Sequence, residues 1–259
     1  MRLVLLLATL AAALCAGPAL AQFAAQISPP RFEDRAAPGA VYREVIEITN
    51  SAPVPARLKV STADWTLDEG GTAQFQASLA DGSCRPWTAL EGTEIELPAN
   101  GRKRFRFEVR VPADAAAQQC RFAIMFEGEP VPVKGIALPV AGRIGVIVYL
   151  DVGDARARLQ VVGSRVDEVE GKPTPVLQVR NDGNAHGRLQ GFVDAIDASG
   201  ERWTLSPASS PILPGTTVDI PLFPMVNDDQ PVDLAFPMQI DGRLEWREQR
   251  IDVDVRVAR

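Results

Sequence analysis

Residues 104–111 read Arg-Phe-Arg-Phe-Glu-Val-Arg-Val, a strict alternation of charged and apolar side chains. Successive side chains of a β-strand point to opposite faces, so a period of two predicts a strand with one buried and one solvated face. Apolar and polar side chains alternate again in residues 56–61 and 251–257, and Phe122, Ile124 and Phe126 continue the period of two. This repetition favours an all-β protein.

Turn-forming residues separate these strands at Asn100-Gly101, Asp182-Gly183, Ser199-Gly200 and Asp241-Gly242. Such pairs tolerate positive φ and tight hairpins, and short strands divided by turns every ten or so residues are typical of a β-sandwich. We find no convincing amphipathic helix after residue 21. Because one set of strands ends near 152 and a second begins near 159, we expect two β-sandwich domains in tandem, at 22–153 and 154–259.

The first 21 residues have the form of a secretory signal peptide. Arg2 precedes an apolar run over 3–14, and Ala19-Leu20-Ala21 matches the small-residue site of a signal peptidase, so we expect cleavage after Ala21. The apolar run is too short to span a bilayer of roughly 30 Å. The mature chain is therefore expected in the periplasm, without insertion into a membrane.

Two cysteines, Cys84 and Cys120, follow the predicted cleavage site. An even pair in an exported protein favours one disulfide bond. A metal-binding pair and a reactive thiol are the alternatives. Two isolated cysteines with no neighbouring histidine do not complete a tetrahedral zinc site, so no metal site is predicted.

Composition and motifs exclude several functions. A formal net charge of -6 argues against sequence-independent binding to nucleic acid, which needs clustered basic residues. We find no nucleophile elbow, phosphate-binding loop or histidine-carboxylate cluster, so we predict neither an enzyme nor a cofactor. The single histidine, His186, follows a turn and is interpreted as a loop residue. The four tryptophans are interpreted as core or domain-contact residues.

Several segments resemble the periplasmic chaperones of pilus assembly, the PapD-like family. The resemblance rests on Ile27-Ser28-Pro29-Pro30-Arg31-Phe32 and on segments 46–51, 56–63 and 143–150. It covers the first domain, and the second by architecture alone. Segments 63–67 and 83–87 indicate a divergent branch. The resemblance implies that both domains are immunoglobulin-like sandwiches.

The resemblance also implies a binding mechanism, in which the chaperone lends an edge strand to an incomplete pilus subunit. Such a donor strand must be long and apolar at alternate positions. An ordinary core strand with both faces covered explains the same residues equally well, and Pro130, Pro132 and Pro139 would interrupt a long ladder. The donor candidates are Val133, Ile136, Leu138, Val140, Ile144, Val146 and Val148.

Members of the family hold the terminal carboxylate of the subunit with two basic residues in the cleft between the domains. Arg31 matches the position of the first. The second basic residue of the family lies in the last strand of the first domain, where this chain has Gly145 and Val146. The nearest basic residue in this chain is Arg143, which is therefore the second candidate. Arginine suits this role because its planar guanidinium can donate two hydrogen bonds to one carboxylate.

The resemblance predicts pilin-like subunits and an outer-membrane usher as partners, and a role in assembling a fimbrial structure at the cell surface and its envelope. The alternative from another class is a structural or adhesive envelope protein that uses two sandwiches as a scaffold. The two hypotheses differ in whether the last strand of the first domain has an open edge.

Overall fold

The computed structural model describes residues 25–68, 70–130, 141–226 and 232–258. These residues form seventeen strands and one short 3-10 turn at Arg85–Trp87, which confirms the all-β prediction. The strands are β1 Ala25–Ser28, β2 Arg31–Ala36, β3 Val41–Asn50, β4 Ala56–Leu67, β5 Ala73–Gln76, β6 Thr88–Leu90, β7 Glu94–Leu97, β8 Arg102–Arg110, β9 Gln119–Gly128, β10 Arg143–Val152, β11 Leu159–Val169, β12 Lys172–Asn181, β13 Gln190–Ile196, β14 Arg202–Pro207, β15 Thr217–Pro224, β16 Met238–Trp246 and β17 Gln249–Val257.

The first domain, β1 to β10, is a sandwich of two sheets. One sheet has the order β1-β3-β8-β6, and the other has the order β2-β10-β9-β4-β5 with β7 also paired to β4. The alternation in 104–111 predicts one buried face, and Phe105, Phe107 and Val109 on that face are buried between the sheets. Four of the ten strands of this domain are short: β1, β5, β6 and β7.

The chain changes sheets between β1 and β2, at Pro29 and Pro30. β1 pairs antiparallel with β3 in one sheet, whereas β2 runs parallel to β10 in the other. The parallel pairing joins Arg31 to Ile147 and ends with Ala36 beside Val152. β2 therefore covers only the second part of β10.

The outer face of the second sheet of the first domain is polar and exposed at one end and apolar and buried at the other. Along β4, Lys59 and Ser61 are exposed, whereas Ala63 and Trp65 point to the same face and are each only 4% exposed. Ala63 and Trp65 belong to an apolar cluster that also includes Leu213 of the second domain. The apolar end of this face is therefore where the second domain packs.

The second domain, β11 to β17, has the strand order β11-β12-β15-β14-β13-β16-β17. β15 pairs first with β12 and then with β14, so it joins two layers around one apolar core. The side chain of Gln249 in β17 bonds to both the N–H and the carbonyl of Leu159 in β11, which links the two ends of the strand order. Two tandem sandwich units, as expected from the sequence, are confirmed.

Cys84 and Cys120 form the expected disulfide bond, with Cα atoms 5.5 Å apart. The bond fastens the segment after β5 to β9. Beside it, Arg85 donates to the carboxylate of Asp64 and to the carbonyl of Thr62. This network holds the irregular segment 77–87 against β4.

Candidate functional site

The first four residues of β10, 143–146, have a strand partner on one side only. They pair with β9, and within the described residues no strand pairs with their other side. The N–H of Ile147 donates to the carbonyl of Pro30 at 3.2 Å. Because backbone groups alternate in direction along a strand, the N–H groups of Arg143 and Gly145 point to the unpaired side. We call residues 143–146 the open margin of β10.

The side chains of β10 correct part of the donor prediction. Val146 and Val148 are both 0% exposed and lie in the core of the first domain, so a partner cannot contact them in this conformation. Ile144 is half-buried at the end of the same row. The candidates Val133, Ile136, Leu138 and Val140 lie outside the described residues.

The packing around Gly145 explains why no basic residue is found there. A Cβ atom at this position would lie 3.0 Å from Cζ of Phe75 and 3.1 Å from Sδ of Met125, closer than ordinary van der Waals contact. A longer side chain would displace the Phe75 ring. The guanidinium of Arg143 lies 5.9 Å from the centre of that ring, and its side chain is exposed.

The structure does not bring the two predicted carboxylate-binding arginines together. Arg31 lies beside Ile147, four residues along β10 from Arg143, which is roughly 13 Å of extended strand. Arg31 is already paired, because its Nε lies 2.8 Å from Oε1 of Glu33. Its side chain is 47% exposed, so part of the guanidinium still faces solvent.

The carboxylate of Glu33 is the centre of a charged cluster between the domains. Nε of Arg188, from the second domain, lies 3.2 Å from Glu33 Oε1, and Nε2 of His186 lies 3.6 Å from the same oxygen. Burial alone would raise the pKa of the Glu33 carboxyl, but His186, Arg188 and Arg31 together lower it to about 2. Glu33 therefore stays ionised and bonds the two domains together.

His186 lies in a loop, as interpreted from the sequence, but its side chain is buried against the first domain. The imidazole stacks on Tyr149 with ring centres 3.7 Å apart, and its edge meets Trp246. Burial lowers the pKa of His186, against the opposing effect of Glu33. The ring is therefore neutral at pH 7.

The amide of Gln119 determines which nitrogen of His186 carries the proton. Its Oε1 accepts the backbone N–H of His186, and its Nε2 donates to Asp151 at 2.6 Å. In this orientation, the Nε2 donor of Gln119 lies at a distance of 2.8 Å from Nδ1 of His186. Nδ1 must then accept, so the proton is on Nε2 and faces Glu33.

Sequence reasoning did not find Gln119, His186 and Arg188 as interface residues. A usable signal was present in β9, where Ala123 and Met125 interrupt the expected polar positions of the alternation. A strand that is apolar on both faces is covered on both sides. Among the described residues, no three His, Cys, Asp or Glu side chains are grouped as metal ligands.

No helix in the described part of the chain has both the length and the apolar character needed to cross a bilayer.

Comparisons with known proteins give structural likeness alone. No family model matches the sequence, and no curated protein matches it. Similar solved structures include the YadV chaperone, at 12% identity and TM-score 0.48, with 90% of this chain and 100% of that chain covered. A complex of the Salmonella enterica SafA pilin with the SafB chaperone gives 11% identity, TM-score 0.47 and coverage of 92% and 99%. The Pseudomonas aeruginosa CupB2 chaperone gives 10% identity, TM-score 0.44 and coverage of 87% and 97%. TM-scores below 0.5 do not establish a common fold, so the fold is defined here by the strand pairing described above.

Proposed function

We propose that this chain is a periplasmic chaperone-like protein that binds pilin-type subunits by strand addition during assembly of a surface structure. The observation that carries the proposal is the open margin of β10. An unpaired strand edge invites pairing with another chain, and proteins usually cover or shorten such edges. In the sequence, residues 143–146 follow shortly after the donor candidates Val133, Ile136, Leu138 and Val140.

The mechanism follows from the directions of the backbone groups. Arg143 and Gly145 offer N–H and carbonyl groups to an added strand without giving up hydrogen bonds to β9. Ile144 is the one described donor candidate whose side chain is partly accessible. In this proposal, Ile136, Leu138 and Val140 fill the groove of the subunit, and an usher then receives the complex.

Arg31 and Arg143 complete the proposal as anchors for the carboxylate of the subunit. Arg31 retains exposed donors beside Glu33, and Arg143 has an exposed side chain at the open margin. Since about 13 Å of strand separates them, each would bind an anionic group separately. Replacing either arginine with alanine should weaken the complex, and unchanged affinity of both variants would remove this part of the proposal.

The test is recovery of a partner from the periplasm with the tagged mature protein. Arg143→Pro removes one N–H from the open margin, at the first residue of the strand, where proline is tolerated. Arg143→Ala removes the side chain and keeps that N–H. We expect Arg143→Pro to lose the stoichiometric partner more completely than Arg143→Ala.

A second pair of variants tests the apolar donor positions. Leu138→Asp should abolish recovery of the subunit, whereas Leu79→Asp, at a leucine 59% exposed in the loop after β5, should not. Full recovery with both Leu138→Asp and Arg143→Pro would contradict strand addition. It would favour a scaffold protein that binds through other surfaces.

A further inference from the structure

The outer face of the second domain carries large apolar side chains that face solvent. On β13, Phe192 is 58% exposed and Ile196 is 42% exposed, whereas Val193 and Ala195, which alternate with them, are buried in the core. An antiparallel sheet with one solvated face normally places polar residues on that face. The apolar side chains of β13 are therefore an exception to the pattern.

Two residues at the end of β15 extend this apolar surface. Phe223 is 43% exposed and Met225 is 58% exposed. Both flank Pro224, which lies opposite Leu205, a core residue of β14. Because side chains alternate along a strand, Phe223 and Met225 point away from the core, as Phe192 does, and β15 is roughly 10 Å from β13 across β14. We call these four residues the outer apolar patch: Phe192, Ile196, Phe223 and Met225.

A row of three aspartates crosses the same face beside the patch. Asp194 of β13 lies opposite Asp241 of β16, which lies opposite Asp254 of β17, and all three are exposed. Like charges directly opposite each other destabilise a sheet. Within the described residues, no basic side chain forms an ion pair with any of the three, and only Asp254 accepts a side-chain hydrogen bond, from Gln239. The aspartate row therefore lowers stability without a compensating contact in the described part of the chain.

The arginines nearest the aspartate row do not neutralise it. Arg243, two residues along β16 from Asp241, is held by Asp252, whose Oδ1 lies 2.9 Å from its Nε. Arg202 and Arg256 lie on the other side of the row, two residues further along their strands. The negative site is therefore limited to the level of the three aspartates, where β13 also presents Phe192 and Ile196.

We propose that this face binds a protein segment in which a lysine or arginine lies between apolar side chains. The aspartate row attracts the cation, and the exposed phenylalanine rings attract it as well, because the face of an aromatic ring carries negative partial charge. The apolar neighbours of the cation cover the outer apolar patch, and polar-rimmed patches of this kind mark interaction sites. The aspartates disfavour an anionic lipid surface, and a second copy docked through the same face would add three more carboxylates. The site lies on the second domain and is independent of strand addition at β10.

Synthetic peptides test the site without any natural partner. Three fluorescently labelled heptapeptides with blocked termini would be compared: alternating leucine and lysine, alternating leucine and glutamate, and alternating serine and lysine. Fluorescence anisotropy at low salt would measure their affinities for the mature protein. We expect the leucine–lysine peptide to bind about tenfold more tightly than either of the others, because it alone supplies both cations and apolar side chains. Equal affinity of either control peptide would overturn the proposal.

Variants of the face show where the leucine–lysine peptide binds. Phe192→Ser should weaken binding about tenfold. Asp241→Asn should weaken it roughly three- to fivefold, the contribution of a surface ion pair, and should raise the urea midpoint of unfolding because it relieves repulsion within the row. The matched controls are Leu79→Ser and Asp114→Asn, at an exposed leucine and an exposed aspartate of the first domain, and both should retain full affinity. Unchanged affinity in both Phe192→Ser and Asp241→Asn would contradict the proposal.

Two further measurements separate this site from other occupants. Arg143→Pro, which alters the open margin of β10, should leave the affinity for the leucine–lysine peptide unchanged, and a loss there equal to that of Phe192→Ser would assign the peptide to β10 instead. Sedimentation equilibrium should show a monomer for the wild type. A dimer that Phe192→Ser dissociates would assign the outer apolar patch to a second copy of the chain and overturn the proposal.

Discussion

Ile144 and Val146 are both apolar, belong to the same row of β10, and differ in burial. Val146 is fully enclosed by the core of the first domain, whereas Ile144 is at the end of the row, where the sandwich opens. The sequence treats the two positions alike because each fits the same alternation. A charge at Val146 is therefore a test of folding, whereas a charge at Ile144 is a test of binding.

We expect Val146→Asp to lower the free energy of unfolding by several kcal/mol, because an unpaired carboxylate would enter an apolar core. Ile144→Asp should cost less than about 1.5 kcal/mol, since its carboxylate can reach water. Urea unfolding of both variants provides the comparison. Equal losses would mean that the open margin is more enclosed than the structure indicates.

At the scale of elements, the irregular segment 77–87 depends on its attachment to β4 and β9. The Cys84–Cys120 disulfide closes a loop of 36 residues, and Arg85 adds bonds to Asp64 and Thr62. Two cysteines in an exported chain were enough to predict the bond. The sequence did not predict the contact between Arg85 and Asp64. These two residues become neighbours only because segment 77–87 crosses β4 in the folded protein.

Replacing both cysteines with serine should lower the free energy of unfolding by roughly 3 to 4 kcal/mol, the entropy of opening a loop of this size. The variant should melt at a lower temperature than the oxidised wild type. Thiol labelling of the unfolded, unreduced wild type should find no free thiol in the mature chain. A melting temperature unaffected by the substitutions would show that the Asp64–Arg85 network alone holds the segment.

At the scale of the whole molecule, the domains meet through a neutral histidine and a charged glutamate. The groups facing His186 are Glu33 from β2, Arg188 from its own loop, Tyr149 from β10 and Asp151 through Gln119. Protonated Nδ1 would confront the donor hydrogens of Gln119. The interface is therefore built for the unprotonated ring.

Stability should fall as the solution becomes acidic. The lowered pKa of His186 means that the unfolded chain binds its proton first, so stability is lost from about pH 6.5 downward, with a slope of at most about 1.4 kcal/mol per pH unit. Glu33, with its pKa lowered to about 2, causes a second loss between pH 4.5 and 2.

The sole histidine of the chain is His186, which makes the first of these losses directly testable. Urea unfolding at several values between pH 5.5 and 7.5 should show the slope in the wild type and a flatter profile in His186→Gln. The comparison concerns the slope, so a constant loss of stability in the variant does not affect it. Parallel profiles would show that the folded protein protonates this ring as readily as the unfolded chain does.

The sequence by itself determined the strand content, the two sandwiches and the disulfide, because alternation, turn residues and paired cysteines act over short distances or by simple counting. Only the tertiary structure decided which apolar residues of β10 are accessible and why position 145 has no room for a basic side chain. It also decided that His186 and Arg188 contact Glu33. Those properties depend on which distant segments lie against each face of a sheet. A pattern of period two reports that a face is covered, but it does not identify the segment that covers it.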